Sequence, residues 1–207
     1  MLMPKIGLYA ITPDGKQVDE ILTFSRAVLE GGAKILQYRD KSTNNKEIIA
    51  TQLRQLCHVY DVPLIINDDI ELAEKIGADG VHLGQDDGCI RNARQRLGEK
   101  AIIGISCYNS LEQALNAQKE GATYVAFGRF FSSTSKPLAT PAQIGTLSAA
   151  KKFLSVPIVA IGGVLPENGA ELLNAGADLL AVIGGLATDN PKQAAYNYNA
   201  LFFKHHA

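Results

Sequence analysis

Eight short runs of β-branched and other apolar residues recur along this chain, separated by amphipathic stretches, and that alternation limits the fold more than any other feature. The runs are Ile6–Ile11, Ile35–Tyr38, Pro63–Ile66, Gly80–Leu83, Ala101–Ile105, Tyr124–Phe127, Pro157–Ile161 and Leu179–Ile183. Each is nearly continuous in apolar residues, as parallel strands covered on both faces require. Between them lie helix-like stretches such as Val18–Glu30, Lys46–Tyr60, Leu111–Glu120, Leu147–Leu154 and Asn168–Ala175. Strands alternating with helices predict parallel βαβ units.

An internal echo sharpens the expectation. Gly32-Ala33-Lys34, Gly77-Ala78-Asp79, Gly121-Ala122-Thr123 and Gly176-Ala177-Asp178 each close a helical stretch just before the second, fourth, sixth and eighth runs. Glycine there suits a left-handed helix C-cap. The repeating unit is therefore a pair of βα modules. Eight modules closing on themselves leave no sheet edge, which a rival open, doubly wound sheet would have to protect. The expected fold is α/β, a single (β/α)8 barrel of the TIM type, occupying residues 1–207 as one domain. At 207 residues the chain is short for eight modules, so connections must be tight. The exception is the Ser-, Thr- and Pro-rich connection from Gly128 to about Gln143, and long loops of that kind tend to carry function.

Charge and cysteine content exclude several classes. Acids and bases are interspersed and sum to −1, so no global field favours nucleic acid or an anionic membrane. Cys57, Cys89 and Cys107 lie far apart without CxxC spacing, which predicts reduced thiols and a cytoplasmic protein. The opening Met1–Lys5 shows no leader-like pattern, and no apolar run approaches the roughly 18 residues of a spanning helix. Small-molecule substrates are the expected partners, and a homo-oligomer is compatible with the sequence.

In such a barrel the chemistry sits at the carboxyl ends of the strands. Gln37, Arg39 and Lys41, from the end of the second run onward, are spaced by two, which projects them to one side of an extended segment. Asn67, Asp68 and Asp69 follow the third, Gln85, Asp86 and Asp87 the fourth, and Ser106 the fifth. Ser132-Ser133-Thr134-Ser135-Lys136 lie beyond the sixth, and Gly162-Gly163 and Gly184-Gly185 follow the last two. Asp68 and Asp87, on adjacent strand ends, could share one hard cation such as Mg²⁺. Arg39, Lys41 and Lys136 would bring positive charge to phosphate oxygens. The late glycines offer backbone N–H groups to a phosphate. Each feature also has a plainer reading. Arg39 and Lys41 suit a solvated loop, and the Ser/Thr run suits a turn. Asp68 or Asp69 could cap a helix opening at Ile70, with Asp69 the better cap. His82 reads as a hydrogen-bonded barrel histidine, and His205-His206 as a frayed tail. No histidine stands beside Ser106 in sequence, and no nucleophile–base pair is apparent at the strand ends, although the fold could still make one.

Taken in order, Leu8-Tyr9-Ala10-Ile11-Thr12, Gln37-Tyr38-Arg39-Asp40-Lys41, Asn67-Asp68, Gly80-Val81-His82-Leu83-Gly84-Gln85-Asp86-Asp87, Gly104-Ile105-Ser106, Ser133–Lys136 and Ile161-Gly162-Gly163 resemble the thiamine phosphate synthase family from about residue 6 to residue 185. The resemblance implies a transferase of thiamine biosynthesis. It would join an aminopyrimidine diphosphate to a thiazole phosphate, releasing pyrophosphate by a dissociative, Mg²⁺-assisted substitution. It further implies that Gln37, Arg39, Lys41, Asn67 and Ser106 hold the pyrimidine diphosphate and that Asp68 and Asp87 bind Mg²⁺. Ser133, Thr134 and Ser135 would hold the thiazole phosphate, with Gly163, Ile183 and Gly184 completing its cup and Lys136 reaching the diphosphate. Arg39, Lys41 and Lys136 would then be the catalytic cations. The chain departs from the family's usual pattern with serines at 133 and 135, with Gly184, and with Arg129 after Gly128. A thiazole tautomerase-like paralogue resembles such chains but lacks the paired acids and uses a histidine after the fifth strand, where Ser106-Cys107-Tyr108-Asn109 stand here. A non-catalytic sensor of phosphate ligands is the other alternative.

Overall fold

The apolar runs become strands because each buries both faces, one toward the barrel axis and one toward a helix. In the computed structural model, which describes residues 1–41, 45–84, 88–132 and 141–205, eight parallel strands close into a barrel in sequence order. They are β1 (Gly7–Ile11), β2 (Ile35–Tyr38), β3 (Leu64–Asn67), β4 (Gly80–Leu83), β5 (Ile102–Tyr108), β6 (Tyr124–Phe127), β7 (Ile158–Ile161) and β8 (Leu179–Val182). The last closes against the first through Gly7–Leu179 to Ala10–Val182. Around them run α1 (Val18–Glu30), α2 (Lys46–Val59), α3 (Ile70–Ile76), α4 (Ile90–Leu97), α5 (Leu111–Lys119), α6 (Ile144–Phe153), α7 (Pro166–Asn174) and α8 (Pro191–His205). Among the described residues no helix is long and apolar enough to cross a membrane.

Strand bounds match the apolar runs to within a residue or two, with one informative exception. β5 continues to Tyr108, so Ser106 lies inside the strand and not after it, and a bulge between Ser106 and Tyr108 shifts its register against β6. A bulge of this kind re-aims side chains near a barrel rim. Helix α8 lacks a strong apolar stripe, and its packing on α1 and α7 is tertiary in origin; His205 ends it.

The Gly-Ala echo has a structural purpose. Gly32, Gly77, Gly121 and Gly176 all take positive φ as each helix turns back toward the barrel. The third residue of each repeat then donates its amide to the preceding strand, as Lys34 to Leu8, Asp79 to Leu64, Thr123 to Ile103 and Asp178 to Ile158. In three repeats the side chain returns the bond. Asp79 accepts from the Leu64 amide at 3.0 Å, Thr123 from Ile103 at 3.0 Å and Asp178 from Ile158 at 2.9 Å. These paired bonds clip successive strands together at the base.

Period two along each strand divides the residues into two sets. Leu8, Ala10, Leu36, Leu64, Ile66, Val81, Ile103, Val125, Ile158, Ala160 and Leu180 pack outward beneath the helices. Tyr9, Ile11, Ile35, Ile65, Ile102, Tyr124, Ala126, Val159, Leu179 and Ala181 fill the lumen. Gly104 makes room for this filling, since a Cβ there would lie 2.0 Å from the Tyr124 ring.

Candidate active site

Continuing the inward-facing set one step up each strand reaches Gln37, Asn67, His82, Ser106, Ile161 and Ile183. They line a cavity of about 380 Å³ at the carboxyl ends of the strands, within the range of small-molecule sites. Arg39, Lys41 and Asp68 line one side of it, and Gly162, Gly163, Gly184 and Gly185 the other. The fold thus brings Gln37, Arg39, Lys41, Asn67, Asp68, Ser106, Gly163, Ile183 and Gly184 to one cavity. Gln85, Asp86, Asp87, Ser133, Thr134, Ser135 and Lys136 lie outside the described residues, and with them the proposed shared position of Asp68 and Asp87.

On the β2 side, support comes from the end of β1. The Thr12 hydroxyl accepts from the Arg39 amide at 2.9 Å and donates to the Arg39 carbonyl at 3.0 Å, pinning the backbone where β2 ends. Asp14 accepts from the Arg39 guanidinium and, at 3.2 Å, from the Lys41 amide. Arg39 is therefore a buried cation aimed by a half-exposed acid, not a solvated loop charge. Asn67 ends β3 and donates its amide to the Asp68 carboxylate at 2.6 Å. Asp68 adopts φ +64, a left-handed backbone that aspartate tolerates better than most residues. Asp69 caps α3, accepting from the Leu72 amide at 2.8 Å. The two adjacent acids divide as the sequence suggests, one capping a helix and the other lining the cavity. Among the described residues no group of three or more His, Cys, Asp and Glu side chains converges on a metal position.

The β7 side is built from backbone. Gly162 and Gly163 take φ +101 and +64, and a Cβ on Gly163 would lie 2.3 Å from the Ser132 carbonyl oxygen. The Gly163 carbonyl is held by the Asn168 amide at 3.1 Å. Among the described residues the Gly163 and Val164 N–H groups donate to no carbonyl. Ile183 leads into a short 3₁₀ turn, Gly184–Leu186, beside them. Such a cluster of amides favours an anion.

A chain of hydrogen bonds crosses the floor. The Gln37 amide donates to the Tyr9 hydroxyl at 2.8 Å, and Tyr9 meets the Tyr124 hydroxyl at 2.7 Å. Tyr124 meets His82 Nδ1 at 2.9 Å, and His82 Nε2 meets Ser106 Oγ at 2.9 Å. Burial pushes both phenols well above their ordinary range, so they stay protonated. The fold therefore does place a histidine against Ser106, although sequence neighbours gave no sign of it. Among the described residues the other ring nitrogen of His82 meets the Tyr124 phenol, an arrangement unlike the carboxylate-held imidazole of a nucleophilic triad. Thr12, Asp14, Tyr9 and Tyr124 are the functional candidates that strand-end reading of β2 to β8 misses. Extending the same logic to β1 nominates Thr12 and Asp14.

The match to known proteins covers this whole assembly. The thiamine monophosphate synthase family description fits residues 8–186, from β1 through the turn after β8. A thiamine-phosphate synthase of Marinobacter nauticus is 48% identical over 206 residues, 97% of this chain and 92% of that protein. Its counterpart in Nitrosococcus oceani is 51% identical over 192 residues, 91% of this chain and 88% of that one. The solved structure of a thiamine phosphate pyrophosphorylase from Pyrococcus furiosus superposes with a TM-score of 0.86 at 33% identity, spanning 98% of both chains. With a family match that takes in every strand bordering the cavity, the chain belongs to the thiamine monophosphate synthase family.

Proposed function

We propose that this protein is a transferase that condenses 4-amino-2-methyl-5-hydroxymethylpyrimidine diphosphate with 4-methyl-5-hydroxyethylthiazole phosphate, giving thiamine phosphate and pyrophosphate. The observation that carries this is the two-sided cavity, with Arg39, Lys41 and Asp68 on one wall and the Gly163 and Gly184 backbone on the other. One cavity with two unlike anion-binding walls suits two phosphorylated partners held face to face. As the bond from the pyrimidine methylene to the diphosphate oxygen breaks, the 4-amino group feeds electrons toward that carbon, and the thiazole nitrogen forms the new C–N bond. That chemistry calls for charge neutralisation and alignment and needs no strong base.

The chain's residues divide the work accordingly. Arg39, oriented by Asp14, and Lys41 grip the departing diphosphate, with Lys136 assigned to the same group. Gln37, Asn67 and Ser106 orient the pyrimidine. Ser133, Thr134 and Ser135, together with Gly163, Ile183 and Gly184, hold the thiazole phosphate. Asp68, a hard oxygen donor lining the cavity, fits Mg²⁺, which keeps several waters and binds through one or two carboxylates plus phosphate. Asp87 is assigned as its second carboxylate. Mg²⁺ bound there supplies charge neutralisation to the diphosphate. Three free cysteines without a disulfide support a cytoplasmic setting.

Purified protein given both substrates and Mg²⁺ should release pyrophosphate, dependent on each substrate and suppressed by EDTA. Asp87→Asn should keep the circular-dichroism spectrum and lose most turnover. No pyrophosphate with both substrates present would overturn the assignment. Full turnover in EDTA, or undiminished activity in Asp87→Asn, would remove the metal from it.

A further inference from the structure

Buried phenols and imidazoles are costly unless hydrogen-bonded, and a chain of them has a direction that elementary donor counting can fix. The chain runs Gln37, Tyr9, Tyr124, His82, Ser106, with every link between 2.7 and 2.9 Å. Gln37 enters it through its Nε2, which can only donate. The Tyr9 oxygen accepts that proton, and its own single O–H points on to Tyr124. Tyr124 in turn spends its O–H on His82 Nδ1, which must be bare to accept it. A neutral imidazole then carries its one N–H on Nε2 and donates to Ser106 Oγ. The Ser106 hydroxyl proton is left without an acceptor in the chain, as is the second Nε2 proton of Gln37, and Ser106 lines the cavity. At the other end the amide oxygen of Gln37 is the acceptor.

Packing holds the chain in this form. Tyr9 and Tyr124 are fully buried and meet edge-on with ring centroids 5.8 Å apart. His82 stacks on Tyr124 at 5.6 Å and 18°. Gly104 admits the Tyr124 ring, since any side chain there would collide with it. Two phenols in the lumen of a barrel otherwise filled with Ile, Val, Leu and Ala are not needed for packing alone.

We propose that Tyr9 and Tyr124 are positioning residues that carry one direction of hydrogen bonding across the floor, hold His82 as its neutral Nε2–H tautomer, set Ser106 as a donor and Gln37 as an acceptor, and so make the cavity select amino- over oxopyrimidine diphosphates. The selectivity rests on the cavity binding a pyrimidine diphosphate as proposed above; the tautomer does not. An aminopyrimidine offers bare ring nitrogens and an amine donor, matching a donating Ser106 and an accepting Gln37. The oxo counterpart brings a ring N–H to Ser106, whose own proton then lacks an acceptor, and a carbonyl to the amide oxygen of the buried Gln37.

The test uses the full chain. Long-range ¹H–¹⁵N correlation of the imidazoles, simplified by a total of four histidines, reads the His82 tautomer directly. The wild-type protein should show a neutral ring protonated on Nε2. Tyr124→Phe and, independently, Tyr9→Phe keep the rings and break the chain. Each should lose that single tautomer and lower the preference for the amino over the oxo substrate by about tenfold, with the change in KM as well as kcat. An Nδ1–H tautomer or a doubly protonated ring in the wild type overturns the proposal. So does an unchanged tautomer and unchanged preference in whichever variant folds. If the wild type shows the Nε2–H tautomer, the variants lose it, and neither pyrimidine is turned over, the relay stands and the assigned reaction falls.

Discussion

The two ends of the barrel each pair an aspartate with a cation, and they bury opposite members of the pair. At the base Asp79 is the buried partner, with 3% of its side chain exposed, held by the terminal amine of Met1 at 3.0 Å and flanked by Arg54. At the mouth Arg39 is the buried partner, with 10% exposed, and Asp14 is 40% exposed. A buried acid can serve the backbone, and Asp79 does so by accepting from the Leu64 amide. A buried cation beside a cavity keeps positive charge on the wall proposed to receive an anion, with the acid left outside to aim it. The same two residue types therefore build fold at one end and a site at the other. The contrast predicts where substitutions will be felt.

The sharpest way to break it is Arg39→Ala. If Arg39 holds the diphosphate as proposed, losing its guanidinium from a partly desolvated cavity should lower kcat/KM by about 10²–10³-fold. Lysine should restore little of this, because the forked geometry is lost. Thermal stability should change little compared with activity. A variant within threefold of wild type in kcat/KM would return Arg39 to the status of a structural charge.

Gly163→Ala probes the other wall of the mouth, where backbone replaces side chains. The added Cβ would lie 2.3 Å from the Ser132 carbonyl at a φ of +64, so the turn must shift. The KM for the thiazole phosphate should rise about tenfold, while the KM for the pyrimidine diphosphate stays within twofold. Equal rises in both would mean that the two walls do not hold separate partners.

How much of this could be read from the chain depends on which contacts are local. The eight strands are legible because each apolar run is a contiguous segment, and Gly32, Gly77, Gly121 and Gly176 are legible because the turn out of a helix C-terminus is a local event, although only Gly77 is itself the cap. Gln37, Arg39 and Asn67 are legible as strand-end polar residues once the barrel is assumed. The floor is not. Tyr9 and Tyr124 stand 115 positions apart and read as ordinary β-formers, and His82 reads as a core histidine until Ser106 is brought against it. Asp14 is a loop residue whose partner lies 25 positions away. The β5 bulge that seats Ser106 inside a strand is set by pairing with β6, which no single segment encodes.

The smallest effect on turnover, and the one that tests the base, is expected from Asp79→Asn. Asparagine can still accept from the Leu64 amide but cannot neutralise the Met1 amine, which is 15% exposed and partly screened. Stability should fall by about 1–2 kcal/mol, near the range for loss of a charged hydrogen bond. For a chain of this size that is roughly 2–8 °C in Tm. Because the substitution lies across the lumen from the cavity, kcat and both KM values should hold within about twofold, as expected for distant, independent sites. If Asp79→Asn left Tm untouched and lowered kcat, the base would share in function and the division between the two ends would fail. Lower Tm with intact kinetics would leave Arg39 and Asp79 as one chemistry put to two uses, separated only by which partner the barrel buries.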